Sequence, residues 1–186
     1  MNTDYETMIE PLTEEERKKY ASTGNEAAVY VGTYHKYVSG SLDGMWVNLE
    51  MFSDSEELYE FLHRLHADEN SPEFMFQDYE NFPSKFYEES GCDFDGIFEW
   101  LAMDEGDRKI VAEYWDEIDE DRDAQSILDA FIYEGNAEEY YDELADEMLS
   151  QSDCPDSIRP YFDYKMWERD CSYDYNETNH YLFSAY

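Results

Sequence analysis

Acidic side chains far outnumber basic ones in this sequence, with 48 Asp and Glu against 12 Lys and Arg and a formal net charge of −36. Like charges at this density repel one another and oppose a compact state, so a fold must bury enough apolar surface to outweigh the repulsion. A feature that works so strongly against folding indicates that the charge itself serves the function.

Strongly acidic chains are often disordered because they lack the aromatic and branched apolar residues of a core. This chain has 18 Tyr, 11 Phe and 4 Trp, and each such side chain can bury roughly 150–250 Å². The sequence therefore predicts a folded protein. Three cysteines without paired metal-type spacing, no signal peptide and no long apolar run predict a cytoplasmic protein with reduced thiols and no membrane partner.

The first half of the chain predicts a small sheet with one helix packed on it. Residues 1–28 indicate a flexible acidic leader, with a short helix as the alternative. The runs at 29–34 and 45–52 predict a strand pair, and 73–82 predicts a third strand. Residues 55–67 predict an amphipathic helix capped by Ser53 or Asp54. Its apolar face holds Leu58, Phe61, Leu62 and Leu65.

The second half predicts mostly helix. Residues 91–133 form a small helical unit whose last helix includes Phe131 and Ile132. Residues 137–149 predict a further helix, and the end of the chain mixes a helix with a terminal strand near 180–183. The inward face of the 137–149 helix holds Tyr140, Tyr141, Leu144, Met148 and Leu149.

These elements predict an α+β protein with a leader and three small domains. The domains are an N-terminal sheet-plus-helix domain, a central helical domain and a mixed C-terminal α/β domain. Their predicted bounds, after a leader at 1–28, are 29–90, 91–133 and 134–186.

The acids of the 137–149 helix form two neighbouring stripes at i, i+4 spacing. Each stripe repeats about every 6 Å, because a helix rises about 1.5 Å per residue. Together the stripes present about one carboxylate per 3 Å, and one DNA strand presents one phosphate per about 3.4 Å of helix axis. The acids are Glu138, Glu139, Asp142, Glu143, Asp146 and Glu147.

Similar acidic runs recur earlier in the chain, with few intervening bases. Together with the helix they predict a surface that mimics the phosphates of DNA, against the alternatives of ordinary solvated helix faces and halophilic adaptation. The further members of this predicted surface are Asp104, Glu105, Asp107, Glu113, Asp116, Glu117, Asp119, Glu120, Asp121 and Asp123.

Other chemistry for the acids and histidines finds little support. Residues 119–123 begin like a calcium loop, but Ala124 and Ala130 stand where such a loop needs Gly and a bidentate Glu. Glu99 beside Trp100 could be read as half of a glycosidase site, yet chance alone places such pairs among 48 acids.

The histidines give no clearer site. His63 and His66 lack a third metal ligand, and an exposed helix position explains them more simply. No catalytic motif and no phosphate-cradling loop is present. We expect a non-enzymatic protein without metal or cofactor. Since the twelve bases are scattered, we expect no direct nucleic-acid binding.

Four runs of sequence resemble the ArdA antirestriction family, which plasmids and conjugative transposons carry. They are VYVGTYHKY at 29–37, GSLDGMW at 40–46, PEFMFQDYENFP at 72–83 and PDSIRPYFDYKMWERD at 155–170. The resemblance covers roughly 29–186, with both ends strong and the middle weak. The leader departs from the family pattern.

The resemblance implies an elongated, curved protein of three small domains that dimerises through the third and mimics bent B-form DNA. It implies inhibition of type I restriction-modification enzymes, by filling the groove of their methyltransferase and specificity subunits. The alternatives are a decoy or chaperone for another basic DNA-binding protein, or a calcium-binding acidic protein. The run around 152–164 resembles the antirestriction motif, which is associated with the dimer contact and carries over to Pro155, Ile158, Tyr161, Phe162, Asp163 and Tyr164.

Overall fold

A computed structural model describes residues 9–186, so residues 1–8 of the predicted leader lie outside the described residues. The chain forms two compact units, the first ending at Asp104 and the second beginning at Glu105. Each unit has its own three-stranded antiparallel sheet among several helices. The α+β class is therefore confirmed. The three domains with boundaries at 90/91 and 133/134 stay a prediction.

The first unit contains three strands in the order β2-β1-β3, with helices before, between and after them. The three predicted strands and the helix at 55–67 are confirmed, and a short helix after the first strand was not predicted. The elements are α1 Glu14–Tyr20, β1 Ala28–Thr33, α2 Tyr34–Val38, β2 Met45–Asn48, α3 Ser55–Leu65, β3 Phe74–Glu80 and α4 Phe94–Leu101.

Strand β2 is shorter than the alternation of its sequence predicts. It ends at Asn48, whose side-chain oxygen accepts a hydrogen bond from the Glu50 amide at 2.9 Å. That bond caps a 3-10 turn over Leu49–Met51. The predicted extension of the strand to residue 52 is wrong, because a local side-chain bond competes with the sheet ladder at this point.

Helix α3 supplies the central apolar face of the first unit. The Asp54 side chain accepts from the Glu57 amide at 2.9 Å, so Asp54 is the N-cap. All four residues predicted on the inward face are buried. Burying such side chains stabilises a fold by roughly 1.5–3 kcal/mol each. The amphipathic pattern therefore predicted both the helix and its orientation.

A buried polar network links α2 to the C-terminal end of α3. The Lys36 ammonium lies 3.1 Å from Asp43, 3.0 Å from Asp68 and 3.0 Å from Nδ1 of His66. Since that ring nitrogen accepts from the ammonium, Nε2 carries the ring proton, and within residues 9–186 it has no hydrogen-bond partner. The expectation of an exposed His66 is wrong, because this C-cap residue lies one turn after Leu62 and continues the buried face of α3.

The second unit has strand order β4-β6-β5, and its helices pack around that sheet. The helix predicted at 137–149, the later helix and the terminal strand are confirmed. The elements are α5 Glu105–Glu117, α6 Ala124–Ala130, β4 Phe131–Glu134, α7 Ala137–Gln151, α8 Tyr164–Cys171, β5 Tyr175–Glu177 and β6 Tyr181–Ser184. No helix within residues 9–186 is long and apolar enough to cross a membrane.

Two details of the second unit correct the sequence prediction. Phe131 and Ile132 belong to β4 and not to a helix, because Phe131 pairs with Phe183 of β6, far along the chain. Met148 was predicted to face inward but is 52% exposed. The buried face of α7 is centred instead on Tyr141 and Ala145, where packing against α8 decides which side is covered.

The buried network makes the stability of the first unit depend on pH. Burial lowers the pKa of His66, and the facing Lys36 ammonium lowers it further, against the opposing charges of Glu69, Asp68 and Asp43. The folded protein thus binds fewer protons at this ring than the unfolded chain does. Stability is full above the ordinary histidine pKa of 6.5 and falls as the pH drops below it.

We expect His66→Gln to flatten the loss of stability between pH 7.5 and 5.5, since Gln cannot acquire a proton beside Lys36. Urea unfolding at several pH values measures the effect. His35→Gln, at an exposed position of α2, is the matched control and should keep the wild-type dependence. Equal pH dependence in the wild type and His66→Gln would contradict the assignment.

Candidate functional site

The sixteen predicted mimic carboxylates all lie in the second unit, except Asp104, which ends the first. All are exposed apart from Asp107 and Glu113, which are partly buried. Exposure alone does not make a carboxylate available to a partner. Hydrogen bonds within the protein divide the set into acids that build the fold and acids that do not.

Two acids of α5 hold the loop between β5 and β6. Glu113 accepts from the backbone amide of His180 at 2.8 Å and pairs with its Nδ1 at 2.9 Å. Glu117 accepts from the Asn179 amide at 3.1 Å and from the side-chain amide of the same residue. We call these bonds the hairpin clip. Burial raises the pKa of Glu113, but hydrogen bonds from Thr178 and His180 outweigh it, and the net shift is downward.

The acids between α5 and α6 shape a turn and a cap. A side-chain oxygen of Asp119 accepts from the Asp121 amide at 3.0 Å. Asp123 is the N-cap of α6 and accepts from the Ser126 amide at 2.9 Å. In the run that begins like a calcium loop, two carboxylates thus accept hydrogen bonds from nearby backbone amides. Within residues 9–186, no group of three or more His, Cys, Asp or Glu is arranged to hold a metal ion.

Three further members of the set have side-chain partners. Glu105 forms an ion pair with Lys109 at 2.6 Å, one turn along α5. Asp146 accepts from the Tyr164 hydroxyl. Glu147 accepts from the side-chain amide of Gln151 at 2.9 Å.

The N-terminal half of α7 carries four acids of a different kind. In the described part of the chain, the side chains of Glu138, Glu139, Asp142 and Glu143 form no hydrogen bond or ion pair. All four are exposed. We call them the open carboxylates.

The helix beneath the open carboxylates is firmly anchored. Asn136 caps it by accepting from the Glu138 amide at 2.8 Å. The hydroxyl of buried Tyr141 donates to Glu177 at 2.6 Å, and the Trp167 indole donates to the Tyr141 carbonyl at 2.9 Å. Glu138 and Glu139 also lie in the first turn, where the helix dipole favours negative charge. The open carboxylates are therefore presented at fixed helical spacing.

The residues of the predicted antirestriction motif divide into packed and exposed ones. Phe162 packs against Tyr164 and Trp167, with ring centroids 4.9 and 6.0 Å apart. Asp163 caps α8 by accepting from the Met166 amide at 3.1 Å. Four of the six are exposed: Pro155, Ile158, Tyr161 and Asp163.

The motif segment is also fastened to α7. The Arg159 guanidinium donates to the Leu149 carbonyl at 2.9 Å. Tyr164 bonds Asp146 on the same helix. The motif, the open carboxylates and α8 thus belong to one packed substructure of the second unit.

Comparison with protein families identifies the chain. The model for the antirestriction protein ArdA matches residues 29–182, from β1 into β6. The chain belongs to the ArdA family. Membership implies an antirestriction function against type I restriction enzymes. Proteins of this family are inhibitors. A search of curated proteins found no match.

Sequence reasoning about this ArdA chain missed the hairpin clip and part of the exposed apolar surface. Glu113 and His180 are 67 residues apart, and no spacing rule brings them together. Met166 of α8 is 53% exposed, as Met148 of α7 is at 52%. A prediction of the α7–α8 packing could have found both methionines, since it decides which helix face stays open.

The hairpin clip predicts unequal effects for two substitutions that remove the same charge. Glu113→Ala should lower the free energy of unfolding by about 1 kcal/mol, because it removes the hydrogen bonds that hold His180. Glu139→Ala, the matched control on α7, should change it by less than about 0.5 kcal/mol. Urea unfolding followed by circular dichroism measures both. Equal effects would show that Glu113 is an ordinary surface acid.

Proposed function

We propose that this ArdA protein inhibits type I restriction-modification enzymes by mimicking DNA. Its carboxylates take the place of DNA phosphates in the groove formed by the methyltransferase and specificity subunits, and so block cleavage of incoming DNA. Methylation uses the same groove and would be blocked as well. The observation that carries the proposal is the set of open carboxylates on α7, which have no partner within the described chain.

The spacing of these acids suits cations that normally bind phosphates. Glu138 and Asp142 lie one turn apart, as do Glu139 and Glu143, so each pair repeats about every 6 Å. The two pairs are offset by one residue, so together they present on average about one carboxylate per 3 Å of helix. This charge density is close to the one phosphate per about 3.4 Å of a single DNA strand. Lys and Arg side chains of a DNA-binding groove could therefore contact these carboxylates in place of successive phosphates.

A decoy of this kind needs no catalysis and no sequence recognition. Phosphate contacts position a DNA-binding protein, whereas base contacts specify the sequence. A protein that supplies only phosphate-like contacts can block enzymes with different target sequences. We therefore expect broad inhibition within the type I class, acting in the cytoplasm, where these enzymes meet incoming DNA.

We further propose a homodimer that forms through the motif region of the second unit. Large exposed apolar side chains mark interaction surfaces when they occur together. Here Ile158 is 53% exposed and Tyr161 83% exposed, in the segment that precedes α8. Met148 and Met166 add exposed apolar surface on the two packed helices. A two-fold dimer would double the number of open carboxylates.

Neutralising the open carboxylates should weaken inhibition. We expect the variant E138Q/E139Q/D142N/E143Q to lose roughly tenfold or more in the inhibition constant, because charged contacts with the groove are lost. The measurement is displacement of labelled target DNA from a type I enzyme. Any displacement of DNA from an unrelated basic DNA-binding protein would favour the alternative of a general decoy.

The matched control removes four exposed acids of the first unit that lie outside the predicted surface. The variant E56Q/E60Q/E73Q/E99Q has the same net charge as the α7 variant, so the two differ only in where the charge is lost. We expect less than about a threefold change. If both variants weaken inhibition equally, total charge and not the α7 surface is responsible.

Salt should affect inhibition and stability in opposite directions. Inhibition should weaken steeply as salt rises, because ions screen the attraction between exposed charges. The folded state of the free protein should become more stable with moderate salt, because screening relieves self-repulsion. Displacement assays and urea unfolding at about 0.05–0.3 M salt measure the two effects. An inhibition constant that does not change with salt would contradict the electrostatic mechanism.

A further inference from the structure

Both edges of the sheet in the first unit are covered by other parts of the same chain. Outside β3, the Phe76 amide donates to the Glu89 carbonyl at 2.9 Å. Outside β2, Ala21 forms an antiparallel bridge with Val47, and the Ser22 amide donates to the Trp46 carbonyl at 3.0 Å. An uncovered edge strand offers unpaired backbone groups and is a template for pairing with another chain.

The cover over β2 comes from the segment that precedes β1, which lies outside the family match at 29–182. Its helix α1 begins with a capping box, in which Thr13 and Glu16 bond each other's backbone amides. The cover is therefore an ordered feature of this chain, added to the region that the ArdA family shares.

Arg64 of α3 fastens this segment at two points. Its guanidinium donates to Oε1 of Glu16 at 2.8 Å and to the Glu10 carbonyl at 3.2 Å. The Leu12 amide donates in return to the Arg64 carbonyl at 3.3 Å. Hydrogen bonds from Thr13 and Arg64 lower the pKa of Glu16 to about 2, so the ion pair persists at ordinary pH.

Apolar contacts support the same docking. Leu12 is buried, with 8% of its surface exposed. The Tyr20 ring lies 4.8 Å from the ring of Phe61 on α3 and 5.2 Å from that of Phe52. The two aromatic contacts and the buried leucine each remove apolar surface from water, so they stabilise the docked position of the segment.

We propose that residues 10–22 form an intramolecular strap, latched by Arg64, that keeps the β2 edge from pairing with the same edge of a second copy of this chain. Two copies of one edge can pair antiparallel about a two-fold axis, so an open β2 edge is complementary to itself. The proposal is independent of inhibition, because it concerns only the first unit and its edge.

The latch is tested by proteolysis of the full chain. Arg17, Lys18 and Lys19 form a tryptic site within α1, so a docked strap resists cleavage there. Arg64→Ala and Glu16→Gln remove the same ion pair from its two sides, and a Gln at N3 can keep the capping box with Thr13. Each should speed cleavage about tenfold, as expected for a lost charged hydrogen bond. The control Lys109→Ala removes an exposed cation of α5 that pairs with Glu105, and it should leave the rate unchanged.

Two outcomes would overturn the latch. One is unchanged cleavage in both variants. The other is a Ser22 amide in the wild type that exchanges hydrogen as fast as an unfolded peptide, which needs no variant to detect.

Edge protection is tested by the mass of the same variants in light scattering at rising protein concentration. We expect Arg64→Ala to form larger species than the wild type at equal concentration, while Lys109→Ala matches the wild type. Far-UV circular dichroism confirms that the variants keep their helices. A strap that opens to trypsin without any increase in mass would overturn its role in protecting the edge.

Discussion

Repulsion among carboxylates is the constraint on which the rest of this structure depends. A net charge of −36 opposes any compact state, so each unit needs a dense apolar interior. Aromatic rings provide it. In the second unit the Tyr114 ring meets that of Phe183 edge to face at 4.8 Å. Such pairs contribute about 0.5–1.5 kcal/mol beyond their buried area. The aromatic content is therefore the counterpart of the acidity. Without it, the repulsion among the carboxylates would oppose folding with too little burial to offset it.

Several of the few basic residues act inside the protein more than on its surface. Lys36 is buried between two helices, and Arg64 fastens the N-terminal segment. Arg122 donates to the Tyr114 hydroxyl at 2.9 Å and to the Ser126 carbonyl at 3.2 Å. Arg159 donates to a carbonyl of α7. Lys36, Arg64 and Arg159 also pair with carboxylates, and none of these acids belongs to the predicted mimic surface: Asp43, Asp68, Glu16 and Asp156. The cations that fasten these parts of the fold thus leave the mimic surface negative.

Local patterns predicted what local physics decides. The apolar spacing of α3 and its Asp54 cap determine that helix, so the sequence predicted its bounds and buried face. The predictions failed where distant contacts prevail. Phe131 is a strand residue because β6 pairs with it, and the face of α7 depends on α8. For the site, composition and spacing predicted exposed acids on α7 but could not separate them from Glu113, whose partner is remote in sequence.

The division of the acids suggests how the two kinds would share the work of binding. Glu113, Glu117 and Asp123 are held by backbone amides, so they keep their charge but lose part of their capacity to accept new bonds. Fixed charges of this kind contribute to the long-range field that steers a basic partner. The open carboxylates retain all their acceptor sites, but a Glu side chain loses up to about 2 kcal/mol of rotamer entropy when a partner immobilises it. The fixed acids are therefore suited to steering a basic partner, and the open carboxylates of α7 are suited to direct contact with it. Because their helix is already rigid, binding costs only the rotamer entropy of the side chains.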